Sequence, residues 1–371
     1  MPSPIRKLAL LTGGGDCPGL NAAIRAVVQA ATQDHGMTVV GIPDGFKGLL
    51  ENKFVPLDLV NTTGIFSKGG TVLGSSNVDT PFSVPVTKNG KTTFEDRSDE
   101  VVAHLKAERV DAMIVVGGDG TQSIAHGMAG KGIQIVGIPK TIDNDLNGTE
   151  FTIGFFTAVS TAVEALDKLH TTAESHHRVM VVELMGRNAG WISLFAGLGG
   201  DADVILIPEI PFDLAKVAGF LNDLYHRRKR YSIVVVAEGA KPVGGEVTVS
   251  RVIENSPEKV RLGGVGHTVA RQLETLTGRE ARAIVLGHLL RGGAPVGFDR
   301  ILASRFGVAA VTAVSQGKFD TMVAYRNDAV ELVPLETGAG KNRFISPDSQ
   351  FLQSARARGI HFGDSSQTPL R

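Results

Sequence analysis

Glycines, a carboxylate and a threonine are concentrated in the segment Gly117-Gly118-Asp119-Gly120-Thr121, directly after the apolar run Ala112–Val116. Without bulky side chains, such a segment lets backbone N–H groups approach phosphate oxygens. The Asp119 carboxylate can hold Mg²⁺ there, directly or through water. A helix N-cap formed by Asp119 or Thr121 is the alternative, although a cap alone would not require three glycines. The segment therefore favours a metal-bound polyphosphate as its ligand.

A second acidic segment, Pro139-Lys140-Thr141-Ile142-Asp143-Asn144-Asp145, follows the apolar run Ile133–Ile138. Two carboxylates two residues apart, beside a lysine and a threonine, have the composition of a reactive centre. One acid can accept the proton of an attacking hydroxyl while the other helps to place metal or water. An Asx-rich turn is the alternative. Together the two segments indicate phosphoryl transfer to a hydroxyl group.

A run of glycines also marks the first turn, Thr12-Gly13-Gly14-Gly15-Asp16-Cys17-Pro18-Gly19. Backbone donors in such a turn, and the N-terminus of the helix that follows, can bind phosphate, but a structural turn explains the glycines equally well. The turn does not match the P-loop pattern. Cys17 is interpreted as a small packing residue rather than a reactive thiol.

Basic side chains that could bind phosphate are spread over later parts of the chain. They are Arg178, Arg187, Arg282, His288 and Arg291. Arginine recognises phosphate through paired N–H groups, although any one of these residues could instead form a surface salt bridge. Glu238, which follows the apolar run Ile233–Ala237, can accept a hydrogen bond from a sugar hydroxyl or pair with a cation. These residues suit a small anionic ligand.

Alternating apolar runs and helical patterns must position these groups. The predicted strands are Lys7–Thr12, Ala112–Val116, Ile133–Ile138, Val179–Leu184, Val204–Ile207, Ile233–Ala237 and Ala283–Gly287; the predicted helices are Asn21–Ala31, Gln122–Ala129, Ala158–His170, Leu214–Arg228, Val265–Leu276 and Arg300–Ser315. Continuous apolar strands between helices indicate a mainly parallel sheet and a doubly wound α/β fold, which binds ligands beyond the carboxyl ends of its strands. The tract Lys241–Gly266 is predicted to be an insertion or a mobile loop between a strand and a helix, and the polar residues from about Ser346 are predicted to fray.

The composition excludes several kinds of ligand. Lysine plus arginine and aspartate plus glutamate each number 38, so no net field attracts nucleic acid or an anionic membrane surface. Aromatic residues make up 6%, too few for a base-stacking platform, and no apolar run reaches the roughly 18 residues of a membrane helix.

The single cysteine cannot form an intrachain disulfide, which favours the cytoplasm. With 371 residues, the chain is long enough for about two domains.

In combination, these motifs resemble the phosphofructokinase family from Leu11 to about Ala310. The resemblance rests on Gly-Gly-Asp-Gly-Thr, Pro-Lys-Thr-Ile-Asp-Asn-Asp, Met-Gly-Arg and Gly-His-Leu-Leu-Arg-Gly-Gly in this order. It implies two Rossmann-like domains with the active site in the cleft between them. Residues 1–152 plus about 290–340 would bind the donor and Mg²⁺, and about 153–289 plus the C-terminal segment would bind fructose 6-phosphate. The implied reaction is Mg²⁺-dependent phosphorylation of the 1-hydroxyl of fructose 6-phosphate by ATP.

Carried over by motif, the resemblance implies a role for each residue. Asp143 would be the base, acting with Thr141, Asp145 and Arg187; Asp119 would be the Mg²⁺ residue; the donor would contact Gly15, Gly118, Asp119, Gly120, Thr121 and Lys140; and fructose 6-phosphate would contact Arg178, Met185, Gly186, Glu238, Arg282, His288 and Arg291. In the family, Arg178 and Arg282 reach in from a neighbouring subunit. The resemblance therefore implies a homodimer or homotetramer with shared active sites.

Two positions bear on the choice of donor. Gly120 favours ATP, because an aspartate there, as in pyrophosphate-using relatives, would fill the space of the α-phosphate and repel it. Lys140 is common in pyrophosphate users, but a lysine attracts the phosphate of either donor. The combination resembles a long-chain subgroup whose studied members are mostly ATP-dependent. ATP is therefore the expected donor and pyrophosphate the alternative.

Two departures from the short bacterial enzymes affect these expectations. Asn77-Val78-Asp79 stands where those enzymes have an arginine on the donor phosphates, so that fixed cation is missing and Lys140 could replace some of its charge. His170 stands where their effector site has an arginine. Their feedback control is therefore not assumed for this chain.

Two other functions share part of the pattern. Gly-Gly-Asp-Gly-Thr also marks NAD kinases and lipid kinases, but those enzymes would not need the Met-Gly-Arg segment or residues 288–293. A non-catalytic regulatory subunit should have lost one of Asp119, Thr141, Asp143 or Arg187, and this chain retains all four. Both alternatives are therefore less favoured than an active phosphofructokinase.

Overall fold

A computed structural model describes residues 5–77, 79–88, 91–227, 229–252 and 260–366. Val78, Arg228 and part of the predicted insertion lie outside these residues. The chain divides into two compact units: unit 1 comprises Met1–Ile142, Leu146–Phe156 and Arg291–Asn342, and unit 2 comprises Asp143–Asp145, Thr157–Leu290 and Arg343–Arg371. In the described part of the chain, no helix combines the length and the apolar character needed to cross a membrane.

The strands, in chain order, are β1 (Lys7–Thr12), β2 (Thr38–Ile42), β3 (Val55–Leu57), β4 (Val84–Lys88), β5 (Lys91–Glu95), β6 (Ala112–Gly117), β7 (Ile135–Pro139), β8 (Val179–Leu184), β9 (Val204–Leu206), β10 (Ser232–Ala237), β11 (Val249–Val252), β12 (Val260–Leu262), β13 (Ala281–Val285), β14 (Thr321–Arg326) and β15 (Ala329–Pro334). The α-helices are α1 (Leu20–Gln29), α2 (Phe46–Leu50), α3 (Ser98–Ala107), α4 (Asp119–Gly130), α5 (Phe155–His176), α6 (Trp191–Gly199), α7 (Leu214–His226), α8 (Val265–Thr277), α9 (Gly297–Ser315) and α10 (Gln350–Ala357). A π-helical turn (Ala30–Asp34) extends α1, and 3₁₀ turns cover Gly287–Arg291 and Leu335–Thr337.

Unit 1 is built on a seven-stranded sheet of order β15-β14-β7-β6-β1-β2-β3. Strands β14, β7, β6, β1 and β2 are parallel, and β15 and β3 are antiparallel edges. All six residues of β6 are buried, which explains its continuous apolar sequence. Because β1 pairs with β2 on one side and with β6 on the other, the β1–β6 junction is a topological switch point, where open α/β sheets bind ligands.

Unit 2 is built on an all-parallel sheet of order β13-β8-β10-β9. Every residue of β8 and of β10 is buried, as expected for central strands covered on both faces. Glu183 of β8 accepts hydrogen bonds from the amides of Gly264 and Gly266 at 2.8–3.0 Å, at the N-terminus of α8. The strand thus supplies a carboxylate cap for the helix that packs on it. The predicted α/β class with mainly parallel sheets is confirmed in both units.

Two predictions were wrong, one on the bounds of a strand and one on the C-terminal tail. The last strand of unit 2 spans Ala281–Val285 rather than Ala283–Gly287, because it pairs with β8 from the Ala281–Val179 position. The tract predicted to be an insertion or mobile loop lies between β10 and α8 and contains the antiparallel pair β11–β12; its residues 253–259 lie outside the described chain. The tail predicted to fray contains α10, since Leu352 and Ala355 are buried.

Candidate active site

Three loops leave the carboxyl edge of the unit 1 sheet side by side, because β1, β6 and β7 are neighbouring parallel strands. The amide of Gly13 donates to the Val116 carbonyl at 2.9 Å, and the amide of Lys140 donates to the Gly117 carbonyl at 3.0 Å. These bonds join the three loops that carry the six residues assigned to the donor by the resemblance. Backbone donors and a lysine at one sheet edge form a surface suited to phosphate.

Lys140 is 3% exposed, and its Nζ donates to the Gly15 carbonyl oxygen. The same Nζ lies 3.4 Å from where a Cβ would stand at Gly14. Arg291 contacts the same turn, because its Nη1 donates to the Asp16 carbonyl at 3.1 Å. A Cβ at Gly15 would lie 2.4 Å from Arg291 Nη1. Two cations therefore lie against the first glycine turn. Arg291, which the resemblance assigns to the sugar phosphate, belongs to unit 1.

The first turn of α4 carries the second glycine segment. Helix α4 begins at Asp119, and among the described residues no side chain caps it at Gly118, so the N-cap alternative for Asp119 and Thr121 was wrong. The Thr121 side chain is buried, and a Cβ at Gly117 would lie 2.3 Å from Thr121 Cβ. Apart from its chain neighbours and the backbone of its own helix, no described atom lies within 4 Å of a Cβ built on the exposed Gly120. This side of the turn is therefore open for a ligand.

Asp119 fits a Mg²⁺ ion that arrives with phosphates. Its carboxylate is partly exposed in the first helical turn. In the described ranges, no group of three or more histidine, cysteine, aspartate or glutamate side chains could hold a metal by itself. Mg²⁺ commonly binds through one or two carboxylates together with substrate phosphates, so one acid beside an open glycine turn is sufficient.

Unit 2 brings the loops after β8 and β10 into direct contact. The Glu238 amide donates to the Leu184 carbonyl at 2.9 Å, and the Gly239 amide donates to the Gly186 carbonyl at 3.1 Å. A Cβ at residue 239 would lie only 2.0 Å from the Arg187 carbonyl oxygen, so glycine is required for this approach. Four residues assigned to the reaction or the sugar are therefore close neighbours: Met185, Gly186, Arg187 and Glu238.

The acidic turn Asp143–Asp145 also belongs to unit 2, whereas Thr141 belongs to unit 1. Asn144 has a φ of 52°, in the left-handed region that asparagine tolerates better than most residues. Asn144 and Asp145 are 1% and 8% exposed, while Asp143 is partly buried. The backbone of the turn is bonded to Arg343, which the sequence did not reveal because it belongs to none of the motifs.

Arg178 and Arg282 lie at the amino ends of the unit 2 strands, away from the loops that follow β8 and β10. Arg178 directly precedes β8, and Arg282 is the second residue of β13, opposite Met180 in the parallel register. Both contact Glu280, with Arg178 Nε at 2.6 Å from its carboxylate, and this bond holds the Glu280 pKa below its ordinary value. Strand β8 has six residues, so roughly 20 Å separates these arginines from the loop that contains Arg187.

Four other residues from the sequence motifs and departures have ordinary local contacts. His288 is exposed in the 3₁₀ turn after β13. Cys17 is fully buried, and burial raises its pKa to about 12, which supports a packing role. His170 Nε2 lies 2.8 Å from the Gly200 carbonyl oxygen. Asp79 accepts a hydrogen bond from the Ser76 hydroxyl, so an acid stands in the segment where the short enzymes have a cation.

Comparison with known proteins identifies the family. The family model for phosphofructokinase matches residues 7–314. The chain belongs to the phosphofructokinase family. It is 49% identical over 366 residues to the ATP-dependent 6-phosphofructokinase 2 of Clostridium perfringens, covering 98% of this chain and 100% of the relative. Membership separates it from the NAD and lipid kinases that share the Gly-Gly-Asp-Gly-Thr motif.

Relatives that are named for pyrophosphate as their donor have nearly the same sequence identity to this chain. The chain is 48% identical over 342 residues to the pyrophosphate–fructose 6-phosphate 1-phosphotransferase of Streptomyces coelicolor, covering 92% of this chain and 96% of that one. Among solved structures, phosphofructokinase from Pichia pastoris in the T-state has a TM-score of 0.77 at 29% identity. That match covers 96% of this chain but only 37% of the longer Pichia chain.

Proposed function

We propose that this chain is a glycolytic, cytoplasmic 6-phosphofructokinase. It transfers the γ-phosphoryl group of ATP to the 1-hydroxyl of fructose 6-phosphate and forms fructose 1,6-bisphosphate and ADP. The observation that carries this proposal is the retention of the whole reactive set, Asp119, Thr141, Asp143 and Arg187, in a chain of this family. A binding or regulatory subunit would have no reason to keep all four.

The donor is assigned to the loops at the carboxyl edge of the unit 1 sheet. Backbone amides of the glycine turns and the Lys140 ammonium group bind the phosphates, and the open side of Gly120 accommodates the α-phosphate of ATP. Asp119 would hold Mg²⁺, which when bound neutralises charge on the phosphate oxygens. Lys140 beside the first glycine turn also suits pyrophosphate, so pyrophosphate remains the second candidate donor.

The acceptor is assigned mostly to residues of unit 2, while Thr141 and Arg291 belong to unit 1. Asp143 accepts the proton of the sugar 1-hydroxyl as that oxygen attacks the γ-phosphorus, and Asp145 and Thr141 orient the groups around it. Arg187 stabilises the negative charge of the transferring group. Glu238 receives a sugar hydroxyl beside Met185 and Gly186, while His288 and Arg291 bind the 6-phosphate.

Arg178 and Arg282 complete the 6-phosphate site from a neighbouring subunit of a homodimer or homotetramer. Their position supports this, because the length of β8 separates them from Arg187 within one chain. Both are held by Glu280 on an exposed edge, with guanidinium N–H groups available to a phosphate. The active enzyme is therefore proposed to be an oligomer.

Initial rates with ATP, GTP and pyrophosphate at saturating fructose 6-phosphate and Mg²⁺ test the proposal. ATP should give the highest kcat/KM, and omission of Mg²⁺ should abolish turnover. A preference for pyrophosphate would replace ATP as the donor, and no turnover of fructose 6-phosphate with any donor would refute the proposed function.

A further inference from the structure

The backbone of the acidic turn is bonded to a residue almost two hundred positions further along the chain. Arg343 Nη2 donates to the Asn144 carbonyl at 3.0 Å, a contact that spans 199 residues of sequence. The Arg343 amide donates to the Asp145 carbonyl at 2.6 Å. The two peptide carbonyls that follow Asp143 are thus both bonded to one residue, although nothing in their local sequence requires it.

Arg343 is itself held in place by Trp191, the only tryptophan of the chain. The guanidinium carbon lies 4.2 Å from the centroid of the indole ring, and the indole Nε1 donates to the Arg343 carbonyl at 3.0 Å. Trp191 is 6% exposed and is the first residue of α6. A cation stacked on a buried indole has little freedom to turn away.

Glu209 adds a second link between the same two segments. Its carboxylate accepts hydrogen bonds from the Gly190 amide at 3.1 Å and from the Ile345 amide at 3.0 Å. Burial raises the Glu209 pKa above its ordinary value, and the amide donors offset only part of this effect. Gly190 ends the loop that begins with Met185, Gly186 and Arg187. The segment around Arg343 is therefore tied to that loop as well as to the acidic turn.

We infer that Arg343 is a positioning residue, which holds the backbone of the Asp143–Asp145 turn in fixed register with the loop of Arg187. Its effect on the reaction passes through the turn. Asn144 adopts a left-handed conformation, which needs support from its surroundings to persist. A base that must accept a proton during attack loses rate steeply when it is displaced, since errors of about 1 Å can cost roughly 10²-fold. The inference rests on the proposed function.

The test compares Arg343→Ala with Arg358→Ala. Arg358 is a matched control in the same C-terminal segment, because its Nη1 donates to the Leu198 carbonyl at 2.8 Å and its Nη2 lies 2.6 Å from Asp201. Well below the melting temperature, Arg343→Ala should lower kcat by about 10–10²-fold and change both KM values by less than about threefold. Arg358→Ala should leave kcat unchanged.

Two further measurements distinguish positioning from general stabilisation. Arg343→Lys retains a cation and a donor and should recover part of the lost kcat, and millimolar guanidinium should stimulate Arg343→Ala but not Asp143→Ser. Hydrogen exchange across residues 142–146 should be faster in Arg343→Ala and unchanged in Arg358→Ala. This measurement needs no substrate, so it remains decisive even if fructose 6-phosphate is not turned over.

Unchanged kcat in a folded Arg343→Ala, equal loss in the Arg358 control, or unchanged exchange across the turn would each overturn the inference. Absence of turnover in the unmodified protein would instead refute the proposed function.

Discussion

Replacing Gly120 by aspartate tests the proposed donor site with little risk to the fold. Gly120 is the second residue of α4, and no described atom outside its chain neighbours and the backbone of that helix lies within 4 Å of a Cβ at this position. An acidic residue in a first helical turn stabilises by about 0.3–1 kcal/mol, and removing a helical glycine contributes roughly 0.5–1 kcal/mol more. The melting temperature of Gly120→Asp should therefore equal or exceed that of the parent.

The same substitution should strongly reduce the use of ATP, although it does not lower the melting temperature. Two unit charges about 4 Å apart repel by about 4 kcal/mol at an effective dielectric constant near 20, and roughly 1.4 kcal/mol corresponds to a factor of ten. The kcat/KM for ATP should fall at least about 10³-fold, with the α-phosphate as the repelled group. Pyrophosphate has no such group, so pyrophosphate-dependent activity should be retained or gained.

Gly120→Asn is the matched control, because it adds nearly the same volume without the charge. Initial rates with each donor, measured beside thermal melting, should place this variant between the parent and Gly120→Asp. In the aspartate variant, Lys140→Gly should remove any pyrophosphate activity. If Gly120→Asp keeps ATP kcat/KM within about tenfold of the parent, the donor does not pass beside Gly120 and the reasoning fails.

Three other outcomes are expected. Asp143→Ser should lower kcat by at least about 10²–10⁴-fold in steady-state assays with little change in substrate affinity, and near-normal turnover would remove Asp143 from the role of base. Arg178→Ala should raise the KM for fructose 6-phosphate by about 10–10²-fold, whereas the control Glu280→Gln, which weakens the same ion pair, should leave this KM unchanged. Mixed oligomers of Arg178→Ala and Asp143→Ser should regain activity after subunit exchange. No recovery would indicate that each active site is built within one chain. Burial lowers the pKa of His361, whose Nδ1 accepts a hydrogen bond from the Gly363 amide at 2.8 Å. The unfolded state therefore binds a proton more readily than the folded state, and stability should fall as pH drops through about 6.5. Between pH 7.5 and pH 5.5, the melting temperature should fall less for His361→Gln than for the parent.

The sequence alone determined the fold class and predicted which loops carry the candidate site. Strands such as Val179–Leu184 are buried on both faces, so their apolar residues form an unbroken run that is visible without a structure. The glycines and acids that follow such runs are equally visible, because the carboxyl ends of parallel strands are where this architecture binds ligands. The motifs in their order then sufficed to predict the family, which the comparisons confirmed.

Only the tertiary structure decided which distant residues meet. The last strand of unit 2 begins at Ala281 because β8 lies beside it, and α10 forms because Leu352 and Ala355 find a buried surface. Neither neighbour is encoded in the local pattern. Arg343 belongs to none of the sequence motifs, and the contact that ties it to the acidic turn spans 199 positions. Local propensity cannot report such a contact, because its stabilising partners exist only once the chain has folded.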